Sequence, residues 1–164
     1  MKNNLRRIGM IELSLLFLGG MATSGSAFGQ VQSQPFTLTI SSDQPAVTAG
    51  SDVFIRITQR NTSSSVVDCS SWEVDSADLS FNYDVRNEAG KKLKQREGMA
   101  NGPGSQKSCS LQPGGALSHN IWISWLYNLR SPGKYSVRVS RYIDNSATKE
   151  VNSNVIVITV LTPQ

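Results

Sequence analysis

Apolar and polar residues alternate with a period of two through most of the chain after residue 34, and no stretch keeps a helical period for three turns. Phe36, Leu38 and Ile40 share one side of a first run. Val53, Ile55 and Ile57 share one side of a second, with Arg56, Thr58 and Arg60 on the other. Val66 and Val67 open a short strand that ends near Cys69, and Leu79, Phe81, Tyr83 and Val85 form the next set. Leu117, His119, Ile121, Ile123 and Trp125 share a parity opposite Asn120, Trp122 and Ser124. Tyr135, Val137 and Val139 share another face. In the last run, 155–161, Ile156, Ile158 and Val160 point to the core, which leaves Val155 and Val157 for a neighbour or partner. An apolar last strand is also able to pair with another chain, so oligomeric state stays open.

Turn chemistry punctuates these runs: Ala49-Gly50-Ser51, the Asn-Thr-Ser-Ser-Ser stretch at 61–65, Pro113-Gly114-Gly115 and Ser131-Pro132-Gly133. Asn87-Glu88-Ala89-Gly90 reads as a hairpin turn, with 91–97 returning as an exposed strand. The segment from Gly98 to Lys107 is rich in Gly, Pro, Ser and Asn and reads as one long surface loop. About seven or eight short strands result, with no βαβ alternation and no internal repeat. The pattern predicts an all-β fold, an antiparallel sandwich whose alternating apolar faces meet in one core.

Residues 1–29 follow a different rule. Lys2, Arg6 and Arg7 precede a short apolar run at 13–22, and small and polar residues follow as far as Gln30. These are the three parts of a secretory signal peptide, cleaved after Ala27 or Gly29. The apolar run is about half of the roughly 20 residues that span a bilayer. The expectation is an exported chain, periplasmic or extracellular, with a single domain at 30–164 and no membrane span after cleavage. Removing the leader leaves thirteen basic against eleven acidic residues, so half of the formal +4 belongs to the address. The cysteines are Cys69 and Cys109, and an even count in an oxidising compartment predicts a disulfide between them.

The phrases T-A-G-S-D-V (48–53), R-N-T-S-S (60–64), Y-D-V-R-N-E-A-G-K (83–91), L-Q-P-G-G (111–115), S-P-G-K-Y-S-V-R-V-S-R (131–141) and S-N-V-I-V-I-T-V (153–160) occur in that order. In this the chain resembles bacterial secreted immunoglobulin-like domains. Similar phrases occur in fibronectin-III-like modules and in the BsuPI-type proteinase-inhibitor domain. The resemblance spans nearly all of 35–162 and implies an immunoglobulin-like sandwich, but no activity. The antibody-type Cys-Trp-Cys spacing is missing, since Trp72 follows Cys69 by three residues.

Candidate chemistry is sparse. Ser131-Pro132-Gly133-Lys134 matches S-x-x-K, yet that motif needs a helix start and here occupies a turn. His119 is the only histidine, and no G-x-S-x-G elbow accompanies it. Gly102-Pro103-Gly104 lacks the Gly-Lys-Ser/Thr of a phosphate loop. Asp43, Asp52, Asp68, Glu73, Asp75 and Asp78 form no D-x-D-x-D-G calcium loop and read as solvated charge. No metal site and no cofactor is expected. Lys91, Lys92, Lys94 and Arg96 form the one basic cluster, with Lys92, Lys94 and Arg96 on one strand face. It reads either as protection of a sheet edge or as a site for an anionic glycan or lipid head group. It lacks the interleaved aromatics of a nucleic-acid site, and no nucleic-acid partner is expected. Trp122 is the aromatic that points outward, to stack on a sugar, anchor a protein or pack under the 98–107 loop. The expected function is a non-enzymatic binding or structural domain that contacts a protein or cell-envelope component. The alternative is a secreted proteinase inhibitor presenting the 98–107 loop, with a hydrolase third.

Overall fold

The computed structural model of the chain describes residues 34–74, 77–98, 103–144 and 147–163. The segment read as a signal peptide lies outside them, as does Asp75. Among the described residues thirteen strands follow one another: β1 (Phe36–Ser41), β2 (Ala46–Thr48), β3 (Phe54–Asn61), β4 (Val67–Asp68), β5 (Ser71–Val74), β6 (Ala77–Asp78), β7 (Asn82–Asn87), β8 (Ser105–Lys107), β9 (Ser110–Leu111), β10 (Ala116–Trp122), β11 (Gly133–Tyr142), β12 (Glu150–Asn152) and β13 (Ile156–Leu161). One helical turn, α1 (Ile123–Leu126), interrupts them.

The first sheet has the order β1-β3-β10 and is antiparallel throughout. In the second, β11 pairs with β7 on one side and with β13 and β12 on the other. The strand β2 completes it by pairing parallel to β13. Two short ladders, β4-β9 and β6-β5-β8, sit to one side. The inward residues of both main sheets form one core: Phe36, Leu38, Ile40, Ile55, Ile57 and Ile121 from the first, Tyr83, Val85, Tyr135, Val137, Val139, Ile158 and Val160 from the second. The protein is thus an all-β sandwich, and the alternation in sequence is the alternation of burial: β1 reads buried-exposed through all six residues.

The remaining differences from the sequence reading have local causes. The sandwich is antiparallel except at β2, because the chain leaves the first sheet after β1 and crosses to the edge of the second before returning as β3. The last strand lies between β11, which pairs with Ile156–Val160, and β2, which pairs with Thr159–Leu161. The exposed Val157 and Leu161 lie on its outer face. The run through Trp125 does not stay extended. Ile123, Leu126 and Tyr127 are all buried, a spacing that period two cannot satisfy and one helical turn can. Residues 91–97 do not form a strand. Leu93 donates to Val85 O at 2.8 Å, but the chain then peels away, and Arg96 donates to Leu126 O at 2.9 Å. The 98–107 segment is not wholly a free loop either: its last three residues are β8, paired to β5.

The edge of β1 is closed by a side chain. Asn154 accepts the Ile40 N–H at 2.8 Å and donates to the Ile40 carbonyl at 3.0 Å, so its amide imitates a neighbouring strand. Asn154→Ala removes both partners from a backbone unit next to the core. Its expected cost is about 1–3 kcal/mol by urea denaturation. An unchanged midpoint would show that water replaces the amide without penalty.

Candidate functional site

Trp122 ends β10 on the outer face of the first sheet, in register with Phe54 at the start of β3. The two rings stack with centroids 5.8 Å apart and planes inclined at 24°. Phe54 is 48% exposed, and Trp122 is half-buried. The Trp122 indole N–H donates to Ser124 Oγ at 2.9 Å, and the same oxygen accepts the Val53 N–H at 2.9 Å. The helical turn α1 therefore fixes the indole from below. The pair is a rigid aromatic platform whose ordering cost is met on folding rather than on binding.

A cleft adjoins each ring. The one beside Phe54, about 240 Å³, is lined by Asp43, Gln44, Arg56 and Asn120. Arg56 and Asp43 form an exposed ion pair there at 3.7 Å. The one beside Trp122, about 250 Å³, is lined by Asp52, Arg96, Ser124 and Arg130. The structure thus brings Arg96 to Trp122, an association that sequence order conceals. It also separates Arg96 from Lys92 and Lys94. Those two lysines line a different groove of about 870 Å³, with Asp84, Arg138, Tyr142 and Glu150. The three basic residues share no strand face, because 91–97 is not a strand. In that groove Asp84 is paired with Arg86 at 3.1 Å and with Arg138 at 3.3 Å.

Two parts of this geometry escape the sequence reading. Phe54 has the parity of Arg56 and Arg60, so alternation alone points it outward; its partnership with Trp122 depends on strand register. Arg130 lies beyond α1, which the alternation does not reveal. Of the 98–107 segment, residues 99–102 lie outside the described residues, and Gly104 lies against Trp72, not Trp122. A Cβ at Gly104 would fall 2.5–2.8 Å from the Trp72 indole, so a larger residue there requires the exposed Trp72 ring to move.

His119 points inward. Its Nδ1 stands 3.7 Å from Asp78 Oδ2, and Phe81 meets its ring edge-on at 5.8 Å. Ser80 donates its hydroxyl to Asp78 Oδ1 and accepts the Trp72 N–H. The order is therefore serine–aspartate–histidine, with the carboxylate in the middle. A hydrolytic triad needs the histidine in the middle, able to take the serine's proton. Tyr83 donates to the Asp78 carbonyl at 2.9 Å; burial, and then the Asp78 charge, push its phenol well above the usual range and keep it protonated. Asp78 is buried, which corrects its reading as solvated charge, whereas Asp43 and Asp68 are exposed to solvent as expected; Asp68 also contacts Ser70 and Arg141, and Glu73 pairs with Lys107.

No family model and no curated protein matches the chain. Among solved structures, the C-terminal domain of wzt is similar with a TM-score of 0.49 and 12% identity, covering 80% of this chain and 77% of that one. The structure of BslA, a bacterial hydrophobin, is similar with a TM-score of 0.38 and 15% identity, covering 79% and 95%.

Proposed function

We propose that the protein is an exported, non-catalytic binding domain that holds a saccharide of the cell envelope on the Phe54–Trp122 platform. The observation that carries this reading is the stacked pair itself, exposed yet locked in place by Ser124. A pyranose ring has a C–H face that packs on an aromatic plane and a rim of hydroxyls that need donors and acceptors. The two clefts supply both kinds of group, from Asp43 and Asn120 on one side and Asp52 and Arg130 on the other. Aromatic anchors of this sort contribute about 2 kcal/mol or more to recognition, which is about thirtyfold in affinity.

The test is affinity electrophoresis in gels containing envelope polysaccharide purified from the source organism. The native protein is expected to be retarded, and Trp122→Ala to lose about thirtyfold in apparent affinity. Because both rings lie at the surface, Phe54→Ala and Trp122→Ala should keep the native circular dichroism. Retardation that is equal in native and variant proteins would refute the platform, as would capture of an envelope protein that depends on neither ring.

A further inference from the structure

The cleft beside Trp122 has an uneven charge. Arg96 and Arg130 both line it, and neither forms an ion pair among the described residues. Asp52 lines the same cleft and is paired with neither of them. Two arginines and one aspartate thus line the cleft, a net positive charge next to the stacking surface. The other side of the platform differs, since Arg56 there is already matched by Asp43 at 3.7 Å. Arg96 is also held in position. Its backbone N–H donates to Leu126 O at 2.9 Å, so the segment that delivers it is tied to the same turn that fixes the indole.

Resting on the platform reading, we infer that the saccharide is acidic and of the uronate type, with its carboxylate read by Arg96 and Arg130. A uronate carries its charge on the same ring that stacks. That places a planar carboxylate within reach of two planar guanidinium forks beside the indole, the geometry arginine matches best. A phosphodiester polymer of open-chain polyols has the charge but lacks a ring face for Trp122, and a neutral glycan leaves the excess positive charge of the cleft unmatched. Asp52 then serves as an acceptor for ring hydroxyls, and its charge adds selectivity against ligands with a second acid at that end.

The experiment compares polygalacturonate with its fully methyl-esterified form, which keeps the rings and removes the charge. Binding is measured by calorimetry at low and at high salt. The native protein is expected to bind the acid about tenfold more tightly than the ester at low salt, with the difference shrinking at high salt. The double variant R96Q/R130Q is expected to lose the native preference and bind acid and ester equally, with no remaining difference between low and high salt. Trp122→Ala is expected to weaken both forms. Equal binding of acid and ester by the native protein overturns the uronate assignment while the platform stands. Binding of a glycerol-phosphate polymer as tightly as polygalacturonate also overturns it, because the ring then contributes nothing. Binding of neither polysaccharide overturns it as well, and retardation by envelope polysaccharide then judges the platform separately.

Discussion

Replacing both cysteines, as C69S/C109S, is expected to lower the free energy of unfolding by about 4 kcal/mol and the melting temperature by about 10–15 °C. The bond joins residues 40 apart in sequence, with Cα atoms 4.9 Å apart. Without it, a loop of that length regains its freedom in the unfolded chain, which is where most of the cost arises. The folded state shares the burden. On one side of the bond β4 pairs with β9, and on the other β5 pairs with β8. All four strands have only two to four residues, too few to hold a ladder without help. The loss should therefore be accompanied by early hydrogen exchange in β5 and β8, while β3 and β11 stay protected up to global unfolding. Guanidinium denaturation measures the first effect and exchange the second. A loss below about 1 kcal/mol would mean that the short ladders stand alone.

Arg141→Ala is expected to destabilise by about 3 kcal/mol, through what it leaves behind. Arg141 is 7% exposed and extends from β11 toward the opposite sheet. Its guanidinium donates to Gln59 Oε1 at 3.2 Å and to Ser70 O at 2.7 Å, and it lies 5.5 Å above the Phe81 ring. Burial pulls its pKa down, and the charges of Asp68 and Asp78 offset part of that. Asp68 is well exposed on its own side and can be solvated without Arg141, whereas the buried Asp78 loses a nearby compensating charge. The penalty comes from Gln59, which is fully buried, and from the Ser70 carbonyl, each left without its donor. A partial rescue follows from the same reasoning. Q59L/R141M removes the stranded Gln59 amide but leaves the Ser70 carbonyl, and now the Asp68 carbonyl, without a side-chain donor, so it is expected to recover only part of the loss. Urea denaturation of the two variants decides it: a double variant no better than R141A would place the energy in the Ser70 carbonyl and the carboxylates near Arg141 rather than in Gln59.

The frame of the molecule was legible in the chain because a half-buried strand writes its two faces into alternate residues. Phe36 to Ile40, Val53 to Ile57 and Tyr135 to Val139 are buried as their parity predicts. The disulfide was legible from the number of cysteines. Trp122 was legible as outward-facing, since its neighbours in sequence claim the core. Less of the site was visible. Lys92, Lys94 and Arg96 have strand spacing but not strand structure, because Leu93 packs on the core and the chain then follows Leu126 rather than β7. Phe54 and Arg130 carry no local signal that ties them to Trp122.

Alternation, turn residues and the cysteine pair belong to short stretches of chain, and they alone determined an all-β sandwich, the inner faces of its long strands and its cross-link. Register, strand order and the direction of the chain after each strand depend on contacts between segments far apart in sequence. Those contacts decided that Phe54 lies against Trp122, that Arg96 and Arg130 share a cleft beside them, and that the apolar last strand is flanked on both edges. The physical reason is that a strand's own residues specify which side is apolar but not which partner lies beside it. Pairing is settled only when two sheets close on a common core and every remaining backbone group has found a donor or an acceptor.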